Sequence, residues 1–421
     1  MMNLLFAIAL IVFIVKTYKS LIWGVGIVII LMPTYLWRFN ILGLPTTFLE
    51  LTIISLFLIW LLKDEKYKKI NFILKNNKHN PISKTLRCLL ILWILASPLA
   101  LLTNFSLSTL GLWRAYFLEP MMFFLVFIYT VKSREDWKII IQSFGALLVW
   151  LFIVAMYQNF TDWNYIGAYN FPNIKRLTGP FIYPNALSLL TAPLTAFFAG
   201  LWIYSKNKLT DLKYLVLFFL GMTLAIMTVS QGAMLAIVLS VFLALILAKK
   251  IRKLGITLIV VGVISTLFIL PKIDFNPSLN LESSSLDIRF NQWQETKELL
   301  QDNFLLGTGI GAYQKALENY HKTEWLEIYL YPHNIFLNFW TELGILGLLV
   351  FISIMFYVVY MLSKIFRSKN NLAWPLSMMW ITWFVHGLVD VPYFKNDLSV
   401  LFFVMLGFTF LVFENRTNVK A

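Results

Sequence analysis

The chain is dominated by apolar stretches that are long enough to cross a lipid bilayer. Of its 421 residues, 59% are hydrophobic and 13% are charged, whereas a soluble domain has about 45–50% apolar and about 25% charged residues. A spanning helix needs roughly 20 apolar residues. The sequence therefore predicts an all-α, polytopic integral membrane protein with about 12–13 transmembrane helices in a single domain over residues 1–421. The candidate spans, of which the first is short, are 3–15, 21–37, 46–62, 86–103, 116–131, 138–157, 184–204, 214–230, 232–248, 254–270, 334–362, 373–392 and 398–413.

Basic residues alternate between the two ends of these predicted helices. Most of the 35 Lys and Arg residues fall in every second connection, and most acidic residues fall in the others. Because cytoplasmic loops are enriched in Lys and Arg, we expect the C-terminus in the cytoplasm and the large loop 271–333 on the outer face. The longest basic connection, 63–84, is predicted to lie along anionic lipid rather than to bind nucleic acid. The single cysteine, Cys88, excludes an internal disulfide.

Polar side chains collect where the large outer loop enters a hydrophobic helix. Pro332 sets the boundary, because the residue before a proline avoids helical geometry. His333 follows, and Asn334, Asn338 and Glu342 recur every four residues, so they share one helical face. Polar groups are costly in hydrocarbon and mark functional sites. We interpret His333 as a catalytic or substrate-binding residue, with Asn334 and Glu342 orienting it or its substrate.

The other candidate motifs have simpler interpretations. His386 and Asp390 lie four residues apart in a predicted span, which favours a buried structural pair, and His321 has no partner that the sequence identifies. Apolar residues at helical spacing predict an amphipathic helix over 286–304 at the membrane interface. The glycines of 307–311 follow that helix rather than a strand, so they indicate a turn and not a nucleotide loop. No spacing suits a metal site.

Arginines on the predicted outer face are candidates for binding phosphate. A guanidinium group donates paired hydrogen bonds in fixed geometry, which suits phosphate oxygens. Arg289 lies in the amphipathic segment and Arg176 begins a Gly/Pro-rich turn. Arg114 has Glu119 five residues later, so an ion pair is the alternative for it. Anchoring to lipid headgroups is the alternative for any of these arginines.

Several motifs together resemble the O-antigen ligase and O-antigen polymerase superfamily of membrane glycosyltransferases. The resemblance covers roughly the C-terminal two thirds of the chain, and its most specific part is the last motif, directly after the long outer loop. The motifs are Arg176-Leu177-Thr178-Gly179-Pro180, Tyr183-Pro184-Asn185, Ser230-Gln231-Gly232-Ala233, Arg289 with Trp293, Asp302-Asn303-Phe304-Leu305-Leu306-Gly307-Thr308-Gly309, His333-Asn334 and Glu342-Leu343-Gly344-Ile345-Leu346-Gly347-Leu348.

The resemblance implies a helical GT-C-like fold in the bacterial inner membrane, with its active site facing outward and no metal or other cofactor. Such enzymes of polysaccharide and lipopolysaccharide biosynthesis move a glycan from an undecaprenyl-pyrophosphate carrier to a lipid or glycan acceptor in the cell envelope. By position, His333 resembles the family's essential histidine and Arg289 the arginine thought to hold the pyrophosphate. We therefore expect His333 and Arg289 to be catalytic, and Arg176, Gln231, Asn334, Glu342 and Arg114 to bind substrate.

The sequence departs from the family at one position. Gln231 stands where the family commonly has arginine, in a Ser-Arg-Gly motif. Either Arg176 or Arg114 supplies the missing charge, or the donor differs, or activity is lost. Two alternatives to a ligase remain at this stage: a repeat-unit polymerase with the same donor, and a transporter or flippase for lipid-linked sugar.

Overall fold

The computed structural model describes residues 2–41, 44–63, 82–164, 170–171, 174–247, 285–322 and 327–418. Its helices are α1 (Met2–Lys19), α2 (Leu21–Ile30), α3 (Phe48–Lys63), α4 (Lys84–Ala96), α5 (Leu107–Trp113), α6 (Glu119–Thr130), α7 (Arg134–Thr161), α8 (Pro184–Ile203), α9 (Leu212–Met227), α10 (Gln231–Leu247), α11 (Ser285–Asp302), α12 (Tyr313–Leu317), α13 (Ile335–Arg367), α14 (Ala373–Gly387) and α15 (Asn396–Asn418). Two antiparallel hairpins complete it: β1 (Arg38–Ile41) with β2 (Leu44–Thr47), and β3 (Asn170–Phe171) with β4 (Ile174–Lys175).

The predicted class, an all-α polytopic membrane protein, is confirmed. Six helical segments of the described residues are long and apolar enough to cross a membrane: Lys84–Leu101, Leu107–Thr130, Arg134–Thr161, Pro184–Ile203, Ile335–Arg367 and Asn396–Glu414. Three shorter apolar helices, Leu21–Ile30, Leu212–Met227 and Gln231–Leu247, cover further predicted spans. The predicted span 254–270, most of the basic connection 63–84 and the first part of the outer loop lie outside the described residues.

Helices α8 and α15 lie at the centre of the bundle, as the burial of their residues shows. In α8 and α15 respectively, 83% and 94% of the apolar window lies inside the protein. Small residues on α8 allow its neighbours to approach closely, as in other membrane bundles. A Cβ atom at Gly200 would lie 2.6 Å from the Cα of Pro375 in α14. Pro184 begins α8, a position where proline loses no hydrogen bond.

Helix α13 is broken at Gly344, where the backbone is left-handed with φ of 68°. The glycine-rich turn after α11 packs into this break. The amide of Thr308 donates to the carbonyl of Thr341 at 2.7 Å, and the amide of Ile345 donates to Leu305 at 3.2 Å. Only glycine fits at 344, since a Cβ there would lie 2.1 Å from the Leu305 carbonyl oxygen. The glycine motif is therefore a docking turn.

The predicted amphipathic helix is present as α11, but part of its apolar side packs on protein. Leu299 and Leu300 are buried, and Leu299 forms a small core with Tyr313 and Leu317 of α12. Phe290 stays 57% exposed. Packing of α11 against α12 therefore competes with the interfacial placement that the periodicity suggested.

One end of the bundle gathers the loop segments that carry the candidate site. Helices α8, α10, α13 and α15 begin there, and α9 and α14 end there. Hydrogen bonds join these ends directly: Leu177 donates to Met227, and Asn334 donates to Leu388. The basic connections that follow α8 and α13 lie at the other ends of the same helices, as the charge alternation predicted.

Candidate active site

A cavity of about 410 Å³ opens at this end of the bundle. Its wall is formed by residues 176–185 at the start of α8, the first turn of α11, one residue of α12, and residues 327–333 before α13. His333, Arg176 and Arg289, which the sequence singled out separately, all line it. The other lining residues are Tyr183, Pro184, Asn185, Ile288, Gln314, Glu327, Ile328, Tyr329, Leu330 and Tyr331.

His333 is held in an unusual backbone conformation beside a buried carboxylate. Its φ of 45° lies in the left-handed region, which residues other than glycine rarely adopt. Its ring packs edge-on against Tyr329 and Tyr331, with centroids 5.1 and 5.0 Å away. Its Nδ1 atom lies 3.3 Å from Oδ1 of Asp390. Backbone strain of this kind clusters at functional sites.

Asp390 lies in the loop between α14 and α15 and is itself fully engaged. Its carboxylate accepts hydrogen bonds from the amide of Val391 at 2.8 Å and from Nδ2 of Asn185 at 2.9 Å. Burial disfavours the ionised carboxylate, but the hydrogen bond and electrostatic attraction of His333 outweigh it and hold the pKa of Asp390 below its ordinary value. Asp390 is therefore an ionised partner for the imidazole.

Arg176 joins the cavity wall to the turn between α9 and α10. Its Nε donates to the carbonyl of Thr228 at 2.9 Å, and one of its terminal nitrogens donates to Oδ1 of Asn185 at 3.1 Å. Asn185 in turn donates to Asp390. A continuous chain of hydrogen bonds thus runs from Arg176 through Asn185 and Asp390 to His333. The next residue of the turn, Val229, has φ of 52°, a strained conformation for a β-branched residue.

Helix α11 places Arg289 and also fixes the loop that carries His333. Nε2 of Gln292 donates to the carbonyl of Tyr331 at 2.9 Å, and Nε1 of Trp293 donates to the carbonyl of Pro332 at 2.8 Å. Arg289, one turn earlier, lines the cavity. Burial, together with nearby Asp390, raises the pKa of Tyr331 well above its ordinary value, so its hydroxyl stays protonated.

Four residues predicted to bind substrate do not line this cavity. Asn334 instead caps α13, accepting from the amides of Phe336 and Leu337. Glu342 is buried and accepts from the amide of Gly311 at 2.7 Å. Gln231 is exposed at the start of α10.

Arg114 is the fourth of these residues, and it is held in ion pairs. It lies 2.5 Å from Glu50 and 3.1 Å from Glu119. The ion pair that the sequence offered as the alternative for Arg114 is therefore present. Of Arg176 and Arg114, the two arginines expected to supply the charge absent at Gln231, only Arg176 lines the cavity.

Sequence reasoning also missed residues that the cavity uses. Asp390 and His386 are both buried and attract each other electrostatically, as a structural pair would, but the Asp390 carboxylate forms its hydrogen bonds with His333, Asn185 and Val391. The sequence marked Tyr183 and Asn185 only by their place in a family motif, and it marked Tyr331 only by its place before Pro332. His321, which had no identified partner, lies 3.1 Å from Glu295.

Comparison with known proteins agrees with the resemblance in the sequence. Residues 215–352 match the family model described as O-antigen ligase. This segment is similar to the O-antigen ligase family. The match includes Arg289 and His333. Arg176, which lines the cavity, and Asp390, which is hydrogen-bonded to His333, lie outside the matched segment, one on either side of it. A search of curated proteins found no match.

Proposed function

We propose that this protein transfers a glycan from an undecaprenyl-pyrophosphate carrier to an acceptor hydroxyl at the outer surface of the bacterial cytoplasmic membrane. The observation that carries the proposal is the single cavity shared by His333, Arg176 and Arg289. An imidazole and two guanidinium groups around one space suit a reaction in which a hydroxyl loses a proton while a pyrophosphate leaves. The O-antigen ligase family supports glycosyl transfer in general.

The two arginines are proposed to hold the pyrophosphate of the donor. Guanidinium groups bind phosphate oxygens through paired, charge-assisted hydrogen bonds. They also stabilise the negative charge that grows on the leaving group in the transition state. Arg176 is pre-oriented by Thr228 and Asn185, so it needs little reorganisation when the donor binds. Ile288 and Leu330 at the cavity wall offer apolar surface toward which the polyprenyl tail would extend.

His333 is proposed to act as the general base. With Nδ1 directed at the ionised Asp390, the proton of a neutral imidazole sits on Nδ1 and the lone pair on Nε2. In the proposed step, Nε2 accepts the proton of the acceptor hydroxyl, whose oxygen forms a bond to the anomeric carbon. The bond from that carbon to the pyrophosphate oxygen breaks, and its electron pair leaves with undecaprenyl pyrophosphate. Attack opposite the leaving group inverts the configuration without a metal.

The direct test is transfer by the purified full chain in proteoliposomes supplied with a fluorescent undecaprenyl-pyrophosphate-linked oligosaccharide and candidate acceptors. We expect a new glycosidic bond and released undecaprenyl pyrophosphate, both insensitive to EDTA. His333→Ala should reduce transfer by at least about 100-fold, the usual scale of general-base catalysis. His321→Ala is the matched control, because His321 lies in the same outer loop but pairs with Glu295.

The product distribution separates the alternatives. One glycan added per acceptor indicates a ligase, and a ladder of lengths built on the donor glycan indicates a polymerase. Movement of donor between leaflets without any new glycosidic bond would indicate a flippase and would overturn the proposal. Near-normal transfer by His333→Ala would remove the general-base role while leaving the enzyme class intact.

A further inference from the structure

A second polar cluster lies next to the cavity and shares one wall residue with it. It consists of Tyr35, Tyr116, Tyr183, Lys395 and Asp397, which come from four distant parts of the chain. The Tyr35 hydroxyl interacts electrostatically with Asp397, Tyr183 and Tyr116. Lys395 places its ammonium group 3.9 Å from the centre of the Tyr183 ring. We call this group the Lys395 cluster.

Two polar groups of the Lys395 cluster are buried without side-chain hydrogen bonds. The Asp397 side chain is 0% exposed. Among the described residues, neither of its oxygens has a side-chain hydrogen-bond partner, and neither does Nζ of Lys395. Burying a polar group without its full set of hydrogen bonds costs about 1–3 kcal/mol. Groups that are kept at such cost, aimed into one region, indicate a polar ligand that completes their hydrogen bonds.

The Lys395 cluster is connected to the proposed base by direct contacts. Tyr183 lines the cavity, and the ammonium group of Lys395 lies over the Tyr183 ring. The hydroxyl of Tyr331 lies 3.2 Å from that of Tyr183, and the ring of Tyr331 packs on His333. A molecule bound at the Lys395 cluster is therefore adjacent to the imidazole that would deprotonate it.

The chemistry of the Lys395 cluster differs from that of the arginine-lined cavity. The cavity has two guanidinium groups, which suit an anion. The Lys395 cluster combines one cation and one anion with three phenols, so it offers donors, acceptors and aromatic faces without a strong net charge. Sugars present hydroxyls that both donate and accept, together with apolar C–H faces. Tyr116 is carried on a π-helical turn, Arg114–Leu118, a distortion that is frequent at functional sites.

We propose that the Lys395 cluster binds the acceptor, and that it recognises an uncharged, hydroxyl-bearing sugar ring. Asp397 accepts hydrogen bonds from sugar hydroxyls, Lys395 donates to sugar oxygens, and the phenol rings of Tyr35, Tyr116 and Tyr183 supply stacking surface. The acceptor hydroxyl then projects past Tyr183 and Tyr331 to His333. This inference rests on the proposed glycosyl transfer, because it assigns the second substrate of that reaction.

The kinetic test measures the two substrates separately, with the fluorescent lipid-linked donor and methyl β-D-glucoside, which is not a detergent, as acceptor probe. Asp397→Asn and Lys395→Cys should each raise the acceptor KM at least tenfold and change the donor KM less than twofold. Treating Lys395→Cys with aminoethyl methanethiosulfonate restores an ammonium group and should restore the acceptor KM, whereas methyl methanethiosulfonate should not. These experiments use a Cys88→Ala background, since Cys88 is exposed and is the single native cysteine. Lys322→Gln, which removes an exposed lysine paired with Glu298, is the control.

A second measurement does not depend on turnover. The cysteine at position 395 should react with the charged methanethiosulfonate from the outer side of proteoliposomes, and methyl β-D-glucoside should slow that reaction. An unreactive cysteine, or unchanged labelling at saturating glucoside, overturns the acceptor assignment whether or not transfer is observed. Equal rises in both KM values also overturn it. If wild-type protein forms no glycosidic bond while the glucoside protects the Lys395→Cys variant from labelling, the proposed function is contradicted and the binding site is not.

Discussion

Nδ1 of His333 lies 3.3 Å from Oδ1 of Asp390, across 57 residues of sequence. The contact joins the loop before α13 to the loop after α14, and Asn185 ties the same carboxylate to Arg176. The groups proposed to bind pyrophosphate and to remove the proton are thus mechanically linked. A change at Asp390 is expected to act through His333 rather than on substrate directly.

Asp390→Asn tests this positioning role. The amide keeps the size of the side chain but no longer favours the imidazole with its proton on Nδ1. We expect kcat to fall by about 10–100-fold, less than for His333→Ala, with both KM values within about threefold of wild type. Asp302→Asn, which alters an exposed carboxylate bonded to Tyr320, is the control. A kcat equal to that of wild type would assign Asp390 a structural role alone.

Asp390 should also contribute to stability in a pH-dependent way. Its pKa in the folded protein is lower than the ordinary value of about 3.9. The ionised carboxylate therefore stabilises the fold above about pH 4, and this contribution is lost as the pH falls further. Between about pH 6 and about pH 3, the Tm of Asp390→Asn should fall less than that of wild type. An equal fall in Tm for the two proteins would contradict the lowered pKa of Asp390.

Gln231→Arg restores the residue that the family commonly has at this position. Because Gln231 is exposed outside the cavity wall and Arg176 and Arg289 already line it, the added charge should have little effect. We expect the donor KM to change by less than about twofold, a free-energy difference below about 0.5 kcal/mol. A tenfold decrease would mean that position 231 faces the pyrophosphate. The donor KM of wild type and of Gln231→Arg is measured by steady-state kinetics with the lipid-linked donor.

Gly344→Ala should separate the docking turn from α13. The new Cβ would clash with the Leu305 carbonyl, and a left-handed backbone costs other residues about 1–2 kcal/mol. We expect a Tm lower by several degrees, together with a reduced kcat, as measured by fluorescence unfolding in detergent. Gly111→Ala is the matched control: a Cβ there meets nothing within 4 Å, and alanine favours a helix by about 0.5–1 kcal/mol. Equal losses for the two variants would refute the role of the break at 344.

The helices were predictable because long apolar runs have few alternatives, and most described helices follow the predicted spans within about five residues. The exceptions are Leu107–Thr130, which begins nine residues before the predicted start, and Leu21–Ile30, which ends seven residues before the predicted end. The turn at Gly307 was predictable from its glycines. The hydrogen bond between His333 and Asp390 was not predictable, because helical spacing identifies neighbours within a single helix and therefore favoured His386 as the partner. Glu342 illustrates the same limit: periodicity placed it on a face with Asn334, but which face meets the cavity depends on the packing of α13 against the docking turn.

The loop before α13 is held by its backbone, through the carbonyls of Tyr331 and Pro332 that accept from Gln292 and Trp293. Backbone carbonyls are common to all residues, so this anchoring does not depend on which side chains the loop presents. Leu330 is therefore open to exchange during evolution while the imidazole keeps its place, whereas Tyr329 packs on that ring. A change at Leu330 can alter the cavity wall without moving the proposed proton acceptor.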